Sequence, residues 1–316
     1  MTIRLNRLHP IALRLSAVAA TIILGGLLAC GGGLTQTSPT PVTPSADTGL
    51  KVVGFSSSKH SNPSNPQAID SEKWFHQTRL PDGNSWYNGE IQHYTNRIEN
   101  AYISDGTLKI VAIRESFTDQ NRTKPFTSAR LNSKYAFTYG RVEVRAKLPK
   151  GSGTWPAIWA LGKNITERGG YWQTQGFGTL NWPASGEIDI MEHWGTNQNY
   201  VSSALHTPSS FGNTVNVGGQ KIDTVSSEFH IYSLDWNADR MIFSVDGKPH
   251  YTYAPKDKNP STWPFDADQY LLLNFAIEPS IASSFNRGEM EVDYVRVYAP
   301  NASLSADPVW ADEFNN

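Results

Sequence analysis

The sequence predicts an all-β protein, an antiparallel sandwich of two sheets, on three observations. Six segments alternate or run apolar over strand lengths. Turn signals bound them. Convincing 3.6-residue periods are scarce, and no strand–helix alternation suggests a parallel-sheet fold.

Taken in order, "GTLKIVAIRE" (106–115) follows the hairpin-type dipeptide Asp105-Gly106, and "GRVEVRAKL" (140–148) alternates strictly after "TYG". "EFHIYSLDW" (228–236) and "RMIFSVDGK" (240–248) are separated by "NAD", and the second runs into Asp246-Gly247. "QYLLLNFAI" (269–277) is almost wholly apolar, and "MEVDYVRVYA" (290–299) alternates after "NRG". From residue 49 onward the chain reads as one large domain, 49–316, without internal repeats.

Ahead of it, Arg4, Arg7 and Arg14 precede the apolar run "LSAVAATIILGGLLA" (15–29), which makes residues 1–29 a signal peptide. The run is too short and too glycine-interrupted to span a membrane well. It ends at Cys30, the single cysteine of the chain, so no intrachain disulfide can form. Placed there, Cys30 resembles the lipidated residue of a bacterial lipobox, with residues 30–48 a Gly/Ser/Thr/Pro tether. The expected location is outside the cytoplasm, as an outer-membrane or cell-surface lipoprotein or else a secreted protein. Any membrane contact would run through the lipid alone.

Net charge is −2, and −5 once the three arginines of residues 1–29 are removed, which argues against a nucleic-acid partner. Nothing in the pattern calls for an obligate oligomer, so a monomer is expected. Ten Trp and thirteen Tyr suit stacking on flat sugar rings.

The chemistry concentrates in "GEIDIMEHW" (186–194). Side chains alternate faces along a strand, so Glu187 and Asp189 share one face while Ile188 and Ile190 enter the core. Strict alternation would carry Glu192 into the core as well, where an ionised carboxylate is very costly. One extra residue, a β-bulge near Ile190 or Met191, returns Glu192 to the face of the other two acids. Like charges so close hold at least one proton at neutral pH. A carboxylate beside a carboxylic acid is the pair that cleaves a glycosidic bond. An acidic solvated strand edge or a carboxylate metal site would share the spacing. Nearby "TWPAIWALG" (154–162), "NWPASGE" (181–187) and "HW" (193–194) add Trp155, Trp159, Trp182 and Trp194, indoles with faces to stack on and N–H groups to donate.

At these residues the chain resembles glycoside hydrolase family 16, whose bulged active-site strand reads G-E-I-D-I-M-E. The resemblance extends over most of 69–299, through "SARLNSKYAFTYGRVEVRAKLPKGSGTWPAIWALG" (128–162), "EFHIYSLDWNADRMIFSVDG" (228–247), "LLLNFAI" (271–277) and "MEVDYVRVY" (290–298). It is nearest the bacterial laminarinase branch, which cuts β-1,3-glucan. It implies a β-jelly-roll with a concave substrate cleft and a retaining endo-acting mechanism without a catalytic cofactor. Glu187 would be the nucleophile, Glu192 the acid/base and Asp189 the assisting carboxylate. It further implies sugar contacts from Asn88, Arg130, Trp155, Trp159, Trp194 and His206, with Glu90 and Trp182 weaker candidates. Trp74 and Trp236 read as core. A structural calcium held by Gly106 and Asp293 is the one metal implied. Mixed-linkage β-1,3-1,4-glucan and galactans are alternative substrates, although no clear Lys/Arg cluster speaks for sulfated ones. A non-catalytic glucan-binding protein is the alternative of a different class, and it would have no use for all three acids.

The ends depart from the family. Members begin with a strand like "VWSDEF", whereas "PVWADEFNN" stands here at 308–316. In this fold the first and last strands are neighbours, so the segment is expected to dock as a permuted edge strand. The alternative is an unpaired remnant of another domain.

Overall fold

The computed structural model describes residues 65–315. They fall in one compact unit, His60–Asn316. The signal peptide, Cys30, the tether and the lead-in to residue 64 lie outside the described residues.

Two sheets face each other. The seven-stranded sheet runs β1 (Trp74–His76), β6 (Arg130–Phe137), β15 (Gln269–Ile277), β8 (Thr154–Gly162), β9 (Glu187–Glu192), β10 (Tyr200–His206) and β11 (Val217–Lys221). The ten-stranded sheet has the path β14 (Lys248–Tyr253), β13 (Met241–Val245), β12 (His230–Trp236), β7 (Gly140–Lys147), β16 (Arg287–Tyr298), β4 (Thr107–Asp119), β5 (Arg122–Ser128) and β2 (Gln92–Tyr94). On it, β3 (Ala101–Ser104) pairs with β4 and β17 (Trp310–Asp312) with β16. Pairing is antiparallel except between β2 and β5. The one α-helical turn among the described residues is α1 (Tyr171–Thr174).

Alternation on β7 and β12 sends Val142, Val144, Ala146, Tyr232, Leu234 and Trp236 inward. They meet Ile188, Ile190, Leu271, Leu273 and Phe275 of the other sheet in the main core. Strand β15 is buried along its whole length, which explains its unbroken apolar run. Its inner face joins the main core. On its outer face Tyr270 and Leu272 pack with Leu161, Ile165, Trp159 and Trp172 beneath the 163–186 connection. Asp246 (φ 50°) and Gly247 (φ 74°) make the β13–β14 turn with two left-handed residues, as a two-residue hairpin requires.

The C-terminal segment is paired and packed. Val295 lies opposite Asp312 and Val297 opposite Trp310. Trp310 stacks on Tyr135 (5.4 Å between centroids, 5° between planes), and Phe314 is buried beside Trp74. The Trp74 indole N–H donates to Asp312 Oδ2 at 2.8 Å. Thus the segment pairs with β16 and docks against Lys73 and Trp74 of "IDSEKW", and the unpaired alternative does not hold. Ending the chain after Pro300 should expose Trp74 and lower Tm by several degrees. An unchanged thermal melt would deny the segment a structural part.

Candidate active site

The bulge lies on β9. Against β8, Trp159 faces Asp189 and Ile158 faces Met191, so Ile190 has no partner. Against β10, Ala204 faces Asp189 and Ser202 faces Glu192, so Ile190 and Met191 together oppose Ser203. Both apolar residues join the main core, and Glu192 returns to the face of Glu187 and Asp189. The side chains of Glu187 and Asp189 are 18% and 6% exposed.

Indoles and one imidazole complete the cluster. Trp182 Nε1 donates to Glu187 Oε2 and Trp155 Nε1 to Glu192 Oε1, each at 3.1 Å. His206 sits opposite Glu187, its Nε2 3.6 Å from Glu187 Oε1 and 3.2 Å from Asp189 Oδ2. The second contact is close but poorly aligned, so Asp189 Oδ2 makes no hydrogen bond. Trp155 stacks on Trp194 (5.5 Å, 23°), and Trp182 meets Phe211 edge-on at 5.4 Å.

Burial pushes all three carboxyls up. Glu187 is held well above the usual carboxylate range by burial and then by the charge of Asp189, with His206 pulling the other way. Burial takes Asp189 to about 8, and burial with the charge of Asp189 takes Glu192 to about 8. The three titrate as one system: the first proton leaves without like-charge repulsion, and later ones leave against it. So raised, the cluster keeps protons at neutral pH, and the first to leave puts a carboxylate beside a carboxylic acid. One indole N–H donates to each glutamate, Trp182 to Glu187 and Trp155 to Glu192, and His206 opposes the upward shift of both.

The same shifts set a stability trend. Near pH 4 the folded and unfolded chains both hold these protons. As pH rises the unfolded chain releases them and the folded chain keeps them, so stability falls until about pH 8. Glu192→Gln, uncharged at every pH, should melt about 3–6 °C above the parent at pH 8 and at nearly the same temperature near pH 4. Thermal melts across that range check it.

Other expected positions fall out differently. Asn88 is exposed and left-handed (φ 55°) in a 3-10 turn, Tyr87–Gly89. Trp159 is half-buried, and its Nε1 donates to Asn274 Oδ1 at 2.7 Å. Asn274 in turn donates to the Tyr94 hydroxyl at 3.0 Å, which fixes the indole plane. Glu90 is buried and accepts from Gln92 and Tyr94. Arg130, expected at the cleft surface, is instead buried at 2% exposure. It donates to Glu167 Oε1 (2.7 Å) and Gln77 Oε1 (2.9 Å) and lies 4.6 Å from the Trp159 ring centroid. His206 belongs to the acid cluster, while Trp74 and Trp236 are core. Trp182, a weaker candidate in the sequence, is 41% exposed and bonded to Glu187.

Sequence reasoning missed the support behind the bulge. Ser203 is fully buried, and its Oγ donates to the Ile190 carbonyl at 2.7 Å. His250 Nε2 lies 2.8 Å from the same oxygen, with Gln220 Nε2 3.4 Å from the other ring nitrogen. With Ser203 donating to the carbonyl, His250 Nε2 must carry the proton. Ser203→Ala leaves the carbonyl unpaired at a cost of about 1–3 kcal/mol and loosens the aim of Glu192. The expected result is a kcat roughly tenfold lower at unchanged KM, with partial recovery in Ser203→Thr. Steady-state kinetics of the two variants check it.

Two metal readings can be weighed. Glu187, Asp189 and His206 bring ligand atoms within 4.8 Å of one another, close enough for an ion. That ion would take the carboxylates that cleavage needs. For calcium, Gly106 lies in the β3–β4 turn, and Asp293 Oδ2 is ion-paired with Arg145 at 2.6 Å. One remaining carboxylate oxygen and one carbonyl fall short of the six to eight oxygens calcium takes, so these two residues alone do not build that site.

A family model described as glycosyl hydrolases family 16 matches residues 88–296. "Glucan endo-1,3-beta-glucosidase A1" of Niallia circulans is 35% identical over 74% of this chain, which spans 36% of that protein's length. "Beta-glucanase" of Rhodothermus marinus is 36% identical, covering 72% of this chain and 80% of its own. Among solved structures, a Zobellia galactanivorans protein in complex with laminaritriose and laminaritetraose is 45% identical. It covers 74% of this chain and 95% of its own, with a TM-score of 0.69.

Proposed function

This chain belongs to glycosyl hydrolases family 16, and from that membership we propose that it is a retaining endo-hydrolase of β-1,3-glucan. One observation carries the reading: Glu187, Asp189 and Glu192 share one face of a bulged strand, with an indole N–H on each glutamate. The name of the Niallia circulans relative and the laminari-oligosaccharides bound by the Zobellia galactanivorans protein point to β-1,3-glucan as the substrate.

In the proposed reaction Glu187 attacks the anomeric carbon as the bond from that carbon to the leaving oxygen breaks. Glu192 delivers its proton to that oxygen. Glu192, now ionised, takes a proton from water, whose oxygen displaces Glu187 and restores both groups. Asp189, between them, hydrogen-bonds the nucleophile when protonated and repels a second charge when not. Stacked Trp155 and Trp194 offer a platform for a sugar ring on the Glu192 side. Hydrolysis of laminarin, mixed-linkage glucan, agar and carrageenan, read as new reducing ends, tests the substrate. Laminarin should be cut best, and cleavage of only a galactan would sink the reading.

We also propose export through residues 1–29 and lipid anchoring at Cys30 of a monomeric enzyme. Fatty-acid labelling that survives Cys30→Ala would refute the anchor.

A further inference from the structure

Beyond the acids, the open face of the seven-stranded sheet leads across β8, β15 and β6 to β1. Four strand spacings place that edge about 19 Å from Glu187. Arg130 organises the end of this path through its bonds to Gln77 and Glu167. The residues that follow those two partners, Thr78, Arg79 and Arg168, line a cavity of about 480 Å³ together with Asp119, Gln120 and Asn121.

The cavity is held together by specific contacts. Gln120, at the tip of the β4–β5 hairpin, donates to the Thr78 carbonyl and accepts from Leu80 N, both at 3.0 Å, pinning the hairpin to the chain after β1. Gly169 (φ 87°) lies so close to Arg79 that a Cβ there would come within 2.6 Å of the arginine's own Cβ. Only glycine fits that position.

Its lining is net positive, two arginines against the one carboxylate of Asp119. Among the described residues neither Arg79 nor Arg168 forms an ion pair. Asp119 is engaged by Gln120, whose N and Nε2 donate to its two oxygens at 2.8 and 2.9 Å. Asp82 accepts from Asn84 N and Ser85 N, and Glu167 is neutralised by Arg130. A third guanidinium, Arg122, borders the same loop and donates to Asn84. The three arginines come from distant parts of the chain, so the cluster is invisible along the sequence.

We propose that this cavity is a subsite for an anionic substituent, a sulfate ester or a carboxylate, on a glucan chain whose neutral backbone lies over the acid cluster. The proposal rests on the glucanase reading for the backbone alone. A guanidinium matches the oxygens of either anion with paired, charge-assisted hydrogen bonds.

The test compares laminarin oligosaccharides that are neutral, sulfated or oxidised to the carboxylate at C6. The full chain is compared with Arg79→Ala/Arg168→Ala, and the neutral substrate serves as internal reference. The parent should favour at least one anionic form. The double variant should lower the anionic-to-neutral ratio of kcat/KM about tenfold, and 0.5 M salt should do the same. The sulfated and carboxylated arms separate the two anions. Equal ratios in parent and variant overturn the subsite, whereas loss of neutral hydrolysis in the parent overturns the glucanase reading instead. In that case calorimetry with Glu187→Gln reads the cavity without turnover. A Kd for the anionic oligosaccharide about tenfold weaker on adding the arginine substitutions supports the subsite, and an unchanged Kd overturns it.

Discussion

Replacing Glu187 with Gln is expected to lower kcat on laminarin by roughly 10⁴-fold or more, in a protein that still melts cooperatively. The amide keeps the shape of the side chain and can still accept from Trp182 Nε1. It cannot form the covalent bond to the anomeric carbon that divides the displacement into two steps. The neighbours offer no substitute. Asp189 is buried with a carboxyl raised to about 8, and Glu192 accepts from Trp155 and lies at the far end of the row. Laminarin hydrolysis surviving at more than about a hundredth of the parent rate would remove Glu187 from the nucleophile's place.

Glu192→Gln should cost about 10²–10⁴-fold on laminarin, because the departing sugar oxygen must then leave unprotonated. The loss depends on the leaving group. A dinitrophenyl laminaribioside, whose phenolate departs without a proton, should form the glycosyl-enzyme at nearly the parent rate. Without a base to activate water, hydrolysis of that intermediate then slows, and a burst of phenolate precedes a slow steady state. If the activated substrate suffers the same loss as laminarin with no burst, Glu192 is not the acid/base. The contrast also probes the bulge, since a Glu192 turned into the core could serve neither step.

The parts of the fold that proved legible were those written in local periodicity. Strand β15 lies where its apolar run placed it, at 269–277, and the alternating runs near 140 and 290 became β7 and β16. The bulge was legible because burying Glu192 would have been too costly, and that argument needs only the strand itself. What stayed hidden depends on partners brought from elsewhere in the chain. Arg130 resembled a cleft residue because nothing near position 130 reveals Gln77 and Glu167, which bury it. Ser203 and His250 are unremarkable along the sequence. Only the antiparallel register of β9 and β10 sets Ser203 opposite two residues instead of one and gives it a carbonyl to satisfy. Trp182 was ambiguous for a related reason: an indole beside a proline suits packing as well as catalysis, and the bond to Glu187 decides between them.

The central claim is that the bulged strand presents Glu187 as nucleophile and Glu192 as acid/base. The most direct measurement is the anomeric configuration of the glycosyl azide that Glu187→Gly forms from laminarin in the presence of azide. With Glu192 still able to protonate the leaving oxygen, azide enters the vacated space and attacks from the face opposite the departing sugar. The product should be the α-azide, the inverted configuration. A β-azide would contradict the account, because it would mean that a covalent intermediate still forms and that Glu187 is not the residue that makes it.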